Sequence, residues 1–138
     1  MNSPVTIDAS VIVSAFTPTE PAHAESKAFM MEVRKQGIPI IVPTLLLPEI
    51  SAALSRGQGK PELGIEFVRV LKNFPNTTFV DLNSSLADAA VEITTKHRLR
   101  GSDSVYAAVA LRFGTELITL DREQLERLPR VLAVRKPG

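Results

Sequence analysis

The chain has 138 residues, 44% of them hydrophobic, with 16 Lys and Arg against 15 Asp and Glu and a formal net charge of +1. That length supports one core and is short for two, so a single domain over residues 1–138 is expected, and so even a charge balance singles out no class of partner. The absence of Cys excludes a disulfide framework and a thiolate metal site and fits a reducing cytoplasm. The start, MNSPVTIDAS, lacks a basic leader region, and no apolar run approaches the roughly 18 residues of a membrane span, so neither a signal peptide nor a membrane segment is expected.

Short β-branched runs alternate with helical stretches along the chain. The first strand is read at Val5–Asp8, followed by a helix of about two turns and an irregular TPTEPAH turn around Pro18 and Pro21. Ala22–Gln36 is predicted helical, with Ala28, Met31 and Lys35 on one line and Phe29 and Val33 near another, stopped by Gly37 and Pro39. A second strand is expected at Pro39–Pro43, then an apolar helix at Leu45–Leu54 that Pro48 either kinks or opens. Gly57–Pro61 reads as a mobile loop before a helix at Pro61–Lys72 carrying Leu63, Phe67, Val70 and Leu71. A third strand at Thr78–Leu82 leads into a helix from Asn83 to about His97, with Leu86, Ala89, Ala90 and Ile93 toward the core. Asp103–Arg112 follows as a helix packing Val105, Ala108, Val109 and Leu111, and the last strands are expected at Glu116–Leu120 and Val131–Val134. Strands alternating with helices imply a mostly parallel α/β sandwich.

Four acids fall at the junctions of this pattern: Asp8 in VTIDASV, Glu49 in LLLPEI, Asp103 in GSDSVYAAVA and Asp121 in LITLD. If the runs are parallel strands, their carboxyl ends share one edge, where open α/β sheets bind ligands. Hard oxygen donors gathered there suit Mg²⁺ or Mn²⁺ and water activation against a phosphodiester. Each acid also has a plainer reading. Asp8 caps the helix near Ser10, Asp121 with Gln124 forms an Asp-x-x-Gln cap, Asp103 complements a helix dipole, and Glu49 faces solvent. Glu49 is nevertheless the one charge between Ile38 and Ile50, where a charge needs a partner. Four independent caps also have no reason to fall together on one edge. His23 and His97 are too isolated for a His-based zinc site.

The stretches VTIDASVIVSAF, PEI, LRGSDSVYAAVA and LITLD resemble the PIN domain family, in particular the single-domain ribonucleases that act as VapC-type toxins. The resemblance spans nearly the whole chain. It implies a three-layer α/β/α sandwich around a five-stranded parallel sheet of order 3-2-1-4-5, and Mg²⁺- or Mn²⁺-dependent endonucleolytic cleavage of RNA. It implies Asp8, Glu49, Asp103 and Asp121 as metal-binding catalytic residues and an antitoxin protein as partner. Pro48 before Glu49, and the lack of a further Asp in REQLERLP, are the departures.

Around these acids, Ser10 and Thr119 are placed to support the carboxylates by hydrogen bonds, Thr119 sharing a strand face with Asp121 by period two. Tyr106, one turn after Asp103, is a candidate for substrate contact or a core aromatic. Lys96, His97, Arg98, Arg100 and Arg122 are candidates for phosphate contact at the rim, although basic side chains at a helix C-terminus also suit the dipole. The apolar segment Ile38–Ile50 and the helix near Pro61 suggest a homodimer surface. Three alternatives compete. A haloacid-dehalogenase-like phosphatase needs a second Asp where Ser10 stands, and a receiver-like phosphoacceptor needs paired acids that are missing. A catalytically silent RNA-binding or assembly module of the same fold would usually have lost an acid. Within the nuclease reading, a processing enzyme without a toxin role remains the alternative to the toxin.

Overall fold

The computed structural model describes residues 3–138; Met1 and Asn2, on which the reading of the start partly rests, lie outside the described residues. The elements run β1 (Val5–Ile7), α1 (Ala9–Ala15), α2 (His23–Gln36), β2 (Ile40–Pro43), α3 (Leu46–Gln58), α4 (Pro61–Lys72), β3 (Thr77–Val80), α5 (Ser84–His97), α6 (Gly101–Phe113), β4 (Glu116–Ile118), α7 (Arg122–Arg127) and β5 (Val134–Arg135). The strands form one sheet of order β3-β2-β1-β4-β5, every pair parallel. This is the expected sandwich and strand order.

β1 is the middle strand, and all three of its residues are buried, as a strand covered by helices on both faces must be. Its one polar side chain, Thr6, is fully buried and satisfied, with its hydroxyl bonded to the Ile41 carbonyl at 2.7 Å and to the Thr115 hydroxyl. Ile7, Val11, Val42, Leu46, Ile50, Leu86, Leu117, Ile118 and Leu128 are at most 1% exposed and build the core; each contributes about 1.5–3 kcal/mol by burial. The middle of α6, Val105–Ala110, has no charged face, and every residue from Asp103 to Ala110 is buried, as suits a segment with no polar side to turn to water.

The departures from the sequence reading have local causes. α3 runs through Gly57 and Gln58 and ends only where Gly59 takes φ 64°, so the expected Gly57–Pro61 loop shrinks to a tight turn between two packed helices. Pro48 sits in the first turn of α3, where it removes no helical hydrogen bond. In α2 the core line is Ser26, Met30 and Val33 with Phe29, while Ala28, Met31 and Lys35 face solvent. Leu111 and Val70 are half exposed, at 50% and 52%. The final strand begins three residues later and ends one residue later than expected, pairing through Val134 and Arg135. The short helix α7 ends at Arg127, and residues 128–133 are turn or irregular. The segment Ile38–Ile50, read as a dimer surface, is core instead: Ile40, Val42, Leu46 and Ile50 are buried and Ile38, Ile41, Leu45 and Leu47 pack on them. Its apolar excess reflects a strand and helix covered from both sides.

Candidate active site

In a parallel sheet each connecting helix returns antiparallel to the strands, so strand C-termini and helix N-termini lie on the same edge. Asp8 follows β1, Asp121 follows β4, Glu49 lies in the first turn of α3 after β2, and Asp103 lies in the first turn of α6. β1 has β2 on one side and β4 on the other, so the connections diverge there and leave a crevice.

Asp8 is 6% exposed and caps α1, accepting the Ser10 N–H at 3.0 Å. Burial pushes its carboxyl above the usual range, opposed by the hydroxyl and N–H of Ser10 and by the Gln124 amide; the charge of Asp121 pushes it further up. Ser10 also ties two elements, its hydroxyl accepting the Leu120 N–H at 3.1 Å. Asp103 is 7% exposed, and burial, then the charges of Asp121 and Asp8, push its carboxyl up to about 6 despite the Arg100 guanidinium. Glu49 is raised by burial and by the charges of Asp8 and Asp103, and eased by the Tyr106 hydroxyl, which donates to it at 2.6 Å. The four acids therefore feel one another across one crevice.

Asp121 caps α7, with Oδ1 accepting the Gln124 N–H at 2.9 Å. Its other oxygen accepts from Arg100 Nη2 at 2.7 Å, and Arg100 Nε donates to Asp103 at 3.1 Å. A single guanidinium thus bridges two of the acids. Capping and clustering are not exclusive, for Asp8 and Asp121 do both.

Thr119 is fully buried; it accepts the Asp121 N–H at 3.0 Å and donates to the Gln124 side-chain oxygen. That bond orients the amide of Gln124, itself fully buried, so that its NH₂ faces the Asp103 carbonyl at 3.3 Å and Asp8 at 3.5 Å. Gln124 is the residue that sequence reasoning missed. Only its backbone was legible, as the recipient of the Asp121 cap.

Tyr106 is 1% exposed, with its hydroxyl engaged by Glu49, so it positions an acid from inside the core rather than offering a face to substrate. Burial and the Glu49 charge hold its phenol protonated. Arg98 and Arg122 are exposed on the rim. His23 bonds the Ser14 carbonyl at 2.9 Å, tying α2 to α1 away from the acids.

Among the described residues no three His, Cys, Asp or Glu side chains converge tightly enough to hold a metal ion between them. The donor set still fits a hydrated hard cation, because Mg²⁺ keeps several waters and is held by one or two carboxylates. The bridging guanidinium shows that positive charge is accommodated between Asp103 and Asp121.

The PIN domain family model matches residues 5–131 of the chain. Solved structures of similar fold include VapBC2 from Rickettsia felis bound to a DNA fragment from their promoter, at TM-score 0.72 and 14% identity over 98% of this chain and 99% of that one. VapC20 of Mycobacterium tuberculosis, described as a Sarcin-Ricin loop cleaving toxin, matches at TM-score 0.70 and 15% identity over 86% and 90% of the two chains. DNA-bound VapBC from Salmonella typhimurium matches at TM-score 0.70 and 15% identity over 99% and 98%. A comparison with curated proteins finds no match.

Proposed function

The chain belongs to the PIN domain family, and from that premise we propose that it is a Mg²⁺- or Mn²⁺-dependent endoribonuclease, the toxin of a toxin–antitoxin pair. One observation carries the reading: acids from four separate segments meet on one sheet edge, and burial and mutual repulsion lift three of them. A fold does not maintain such a cluster for stability, since like charges in a desolvated crevice oppose folding.

Asp8, Asp103 and Asp121 would hold the ion, with Glu49 completing the set. Bound there, it would supply an activated water and neutralise charge developing on a cleaved phosphodiester. The chain's own residues do the rest. Gln124 and the Ser10 N–H fix the Asp8 carboxylate, and Tyr106 fixes Glu49. Thr119 holds the turn into Asp121. Arg100, which spans Asp103 and Asp121, would be available to a substrate phosphate with a cation held between those acids, and Arg98 and Arg122 are exposed nearby.

An antitoxin partner is part of this reading, supported by the likeness to structures described as VapBC and as a toxin–antitoxin complex. A homodimer is also part of it, supported by large apolar side chains left exposed, among them Val91 at 59%, Leu111 at 50% and Phe113 at 43%. No helix among the described residues is long and apolar enough to cross a membrane, and a cytoplasmic location belongs to the same proposal.

The test is cleavage of structured and single-stranded RNA with and without divalent metal, by wild type and by Asp8→Asn. Wild type is expected to cut only with metal and Asp8→Asn to lose several orders of magnitude in rate. Equal cleavage by both proteins sinks the assignment. Active enzyme that leaves growth unharmed on expression without a partner points to RNA processing instead.

A further inference from the structure

The surplus of basic residues is not spread evenly over the surface. A cleft of about 620 Å³ between the C-terminal end of α5 and the far end of α7 is lined by Lys96, Arg98, Arg127 and Arg130, with Glu126 as its one carboxylate. Four cations face one acid in a chain whose formal net charge is only +1.

These cations divide by role. Arg127 is committed to the protein, donating to the Arg98 carbonyl and lying 3.5 Å from Glu123. Lys96, Arg98 and Arg130 are exposed and carry no side-chain hydrogen bond or ion pair among the described residues. Lys96 complements the dipole at the C-terminal end of α5, but none of the three is held by a carboxylate.

The cleft also lies close to the acids. Leu99 is buried as an anchor, so Arg98 and Arg100 emerge on either side of it. With about 3.8 Å between successive Cα atoms, Arg98 lies within about 8 Å of the residue that bridges Asp103 and Asp121. α7 connects the two places from the other side, with Asp121 capping its start and Arg127 ending it, a rise of about 9 Å over six residues.

We propose that this cleft holds backbone phosphates of single-stranded RNA a few nucleotides from the scissile bond, with Lys96, Arg98 and Arg130 as the phosphate-binding residues. Arg127 is the strut that keeps the Arg98 corner in place. No Phe, Tyr or Trp lines the cleft, and the imidazole of His97 is the one ring in its lining, so it offers no broad stacking platform and grips the backbone more than it reads bases. Its size suits a short length of one strand and not the width of a duplex. The inference rests on the ribonuclease reading above.

The test compares full-length protein carrying Asp8→Asn, to prevent cleavage, with the same protein carrying Lys96→Gln and Arg130→Gln. Both substituted side chains are exposed, and matching thermal melts confirm that the fold is kept. Binding is read by fluorescence anisotropy on a single-stranded RNA of about twelve nucleotides and on one of about four. Each lost phosphate contact removes about 0.7 from the slope of log K against log salt, so the pair lowers it by about 1.4, or about 25-fold in affinity at 0.1 M salt. The short RNA, confined to the acids, is expected to bind both proteins alike.

An unchanged slope on the long RNA overturns the cleft while leaving the ribonuclease reading intact. So does a loss of duplex DNA binding with RNA binding unaffected. Protein that neither binds nor cuts RNA before any substitution removes both.

Discussion

Replacing Gln124 with Met tests whether the buried amide is what holds the acid edge together. The two side chains have similar volume, so no cavity is expected and the polar consequence is isolated. The Thr119 hydroxyl, fully buried, loses the oxygen it donates to. An unsatisfied buried hydroxyl costs about 1–3 kcal/mol. The Asp8 carboxylate and the Asp103 carbonyl lose longer bonds, at 3.5 and 3.3 Å, worth about 1 kcal/mol together. A total of about 2–4 kcal/mol corresponds to a fall in melting temperature of roughly 6–16 °C for a chain of this size. Gln124→Glu is expected to cost more at neutral pH, because it sets a further carboxylate against Asp8, and less near pH 5, where a protonated Glu again donates. Adding Thr119→Val to Gln124→Met should not recover the loss, since the same hydroxyl accepts the Asp121 N–H at 3.0 Å and its removal leaves that donor without a partner. The assay is thermal melting in chelator and with Mn²⁺. A Gln124→Met protein that melts within about 2 °C of wild type would refute the network as a determinant of the site.

Arg100→Gln removes the cation already resident between Asp103 and Asp121, so calorimetric Mn²⁺ affinity is expected to rise; unchanged or weaker binding shows that the guanidinium does not compete. Because the folded state raises Asp103 from 3.8 to about 6, it holds more protons than the unfolded chain in that window. Stability in chelator should therefore fall as pH rises from about 4 through 6, and Asp103→Asn should flatten the trend; a rise over that interval contradicts the reading. Tyr106→Phe strips the donor from Glu49 and is expected to cost about 1.5–3 kcal/mol at neutral pH, with a smaller loss in a Glu49→Gln background measured by the same melts. A Cβ at Gly64 would lie 2.8 Å from the Ser51 carbonyl oxygen, so Gly64→Ala should force α3 and α4 apart at about 1–3 kcal/mol, and an unaltered urea midpoint would show that the contact yields freely.

The acids were legible because each ends or opens an element, a place that chain order and β-branched runs mark on their own. Helix limits such as Pro61–Lys72 were legible for the same reason: Pro at the start and a loss of periodicity at the end are local signals. What stayed hidden depends on partners distant in the chain. Gln124 reads as a capping partner because its backbone does receive the Asp121 cap, while its side chain answers to Thr119, Asp103 and Asp8. Arg100 reads as a helix-end cation until α7 brings Asp121 within reach. The basic cleft joins residues 96–98 to residues 127–130, and no periodicity links those two stretches. Ile38–Ile50 was misjudged as surface because composition reports how apolar a segment is and not how many layers cover it.

The central position of β1 also bears on how the chain is made. Thr6 is bonded to Thr115, 109 positions later, and β4 pairs with β1 through Glu116, Leu117 and Ile118. A ribosome-bound chain that has emerged only as far as residue 115 has Asp8, Asp103 and β2, but neither β4, the strand on the other side of β1, nor Asp121 after it. Non-local pairings of this kind form late, after loop closure has been met. If the chain cuts RNA, it stays harmless until residues 116–121 have emerged and β4 has paired with β1.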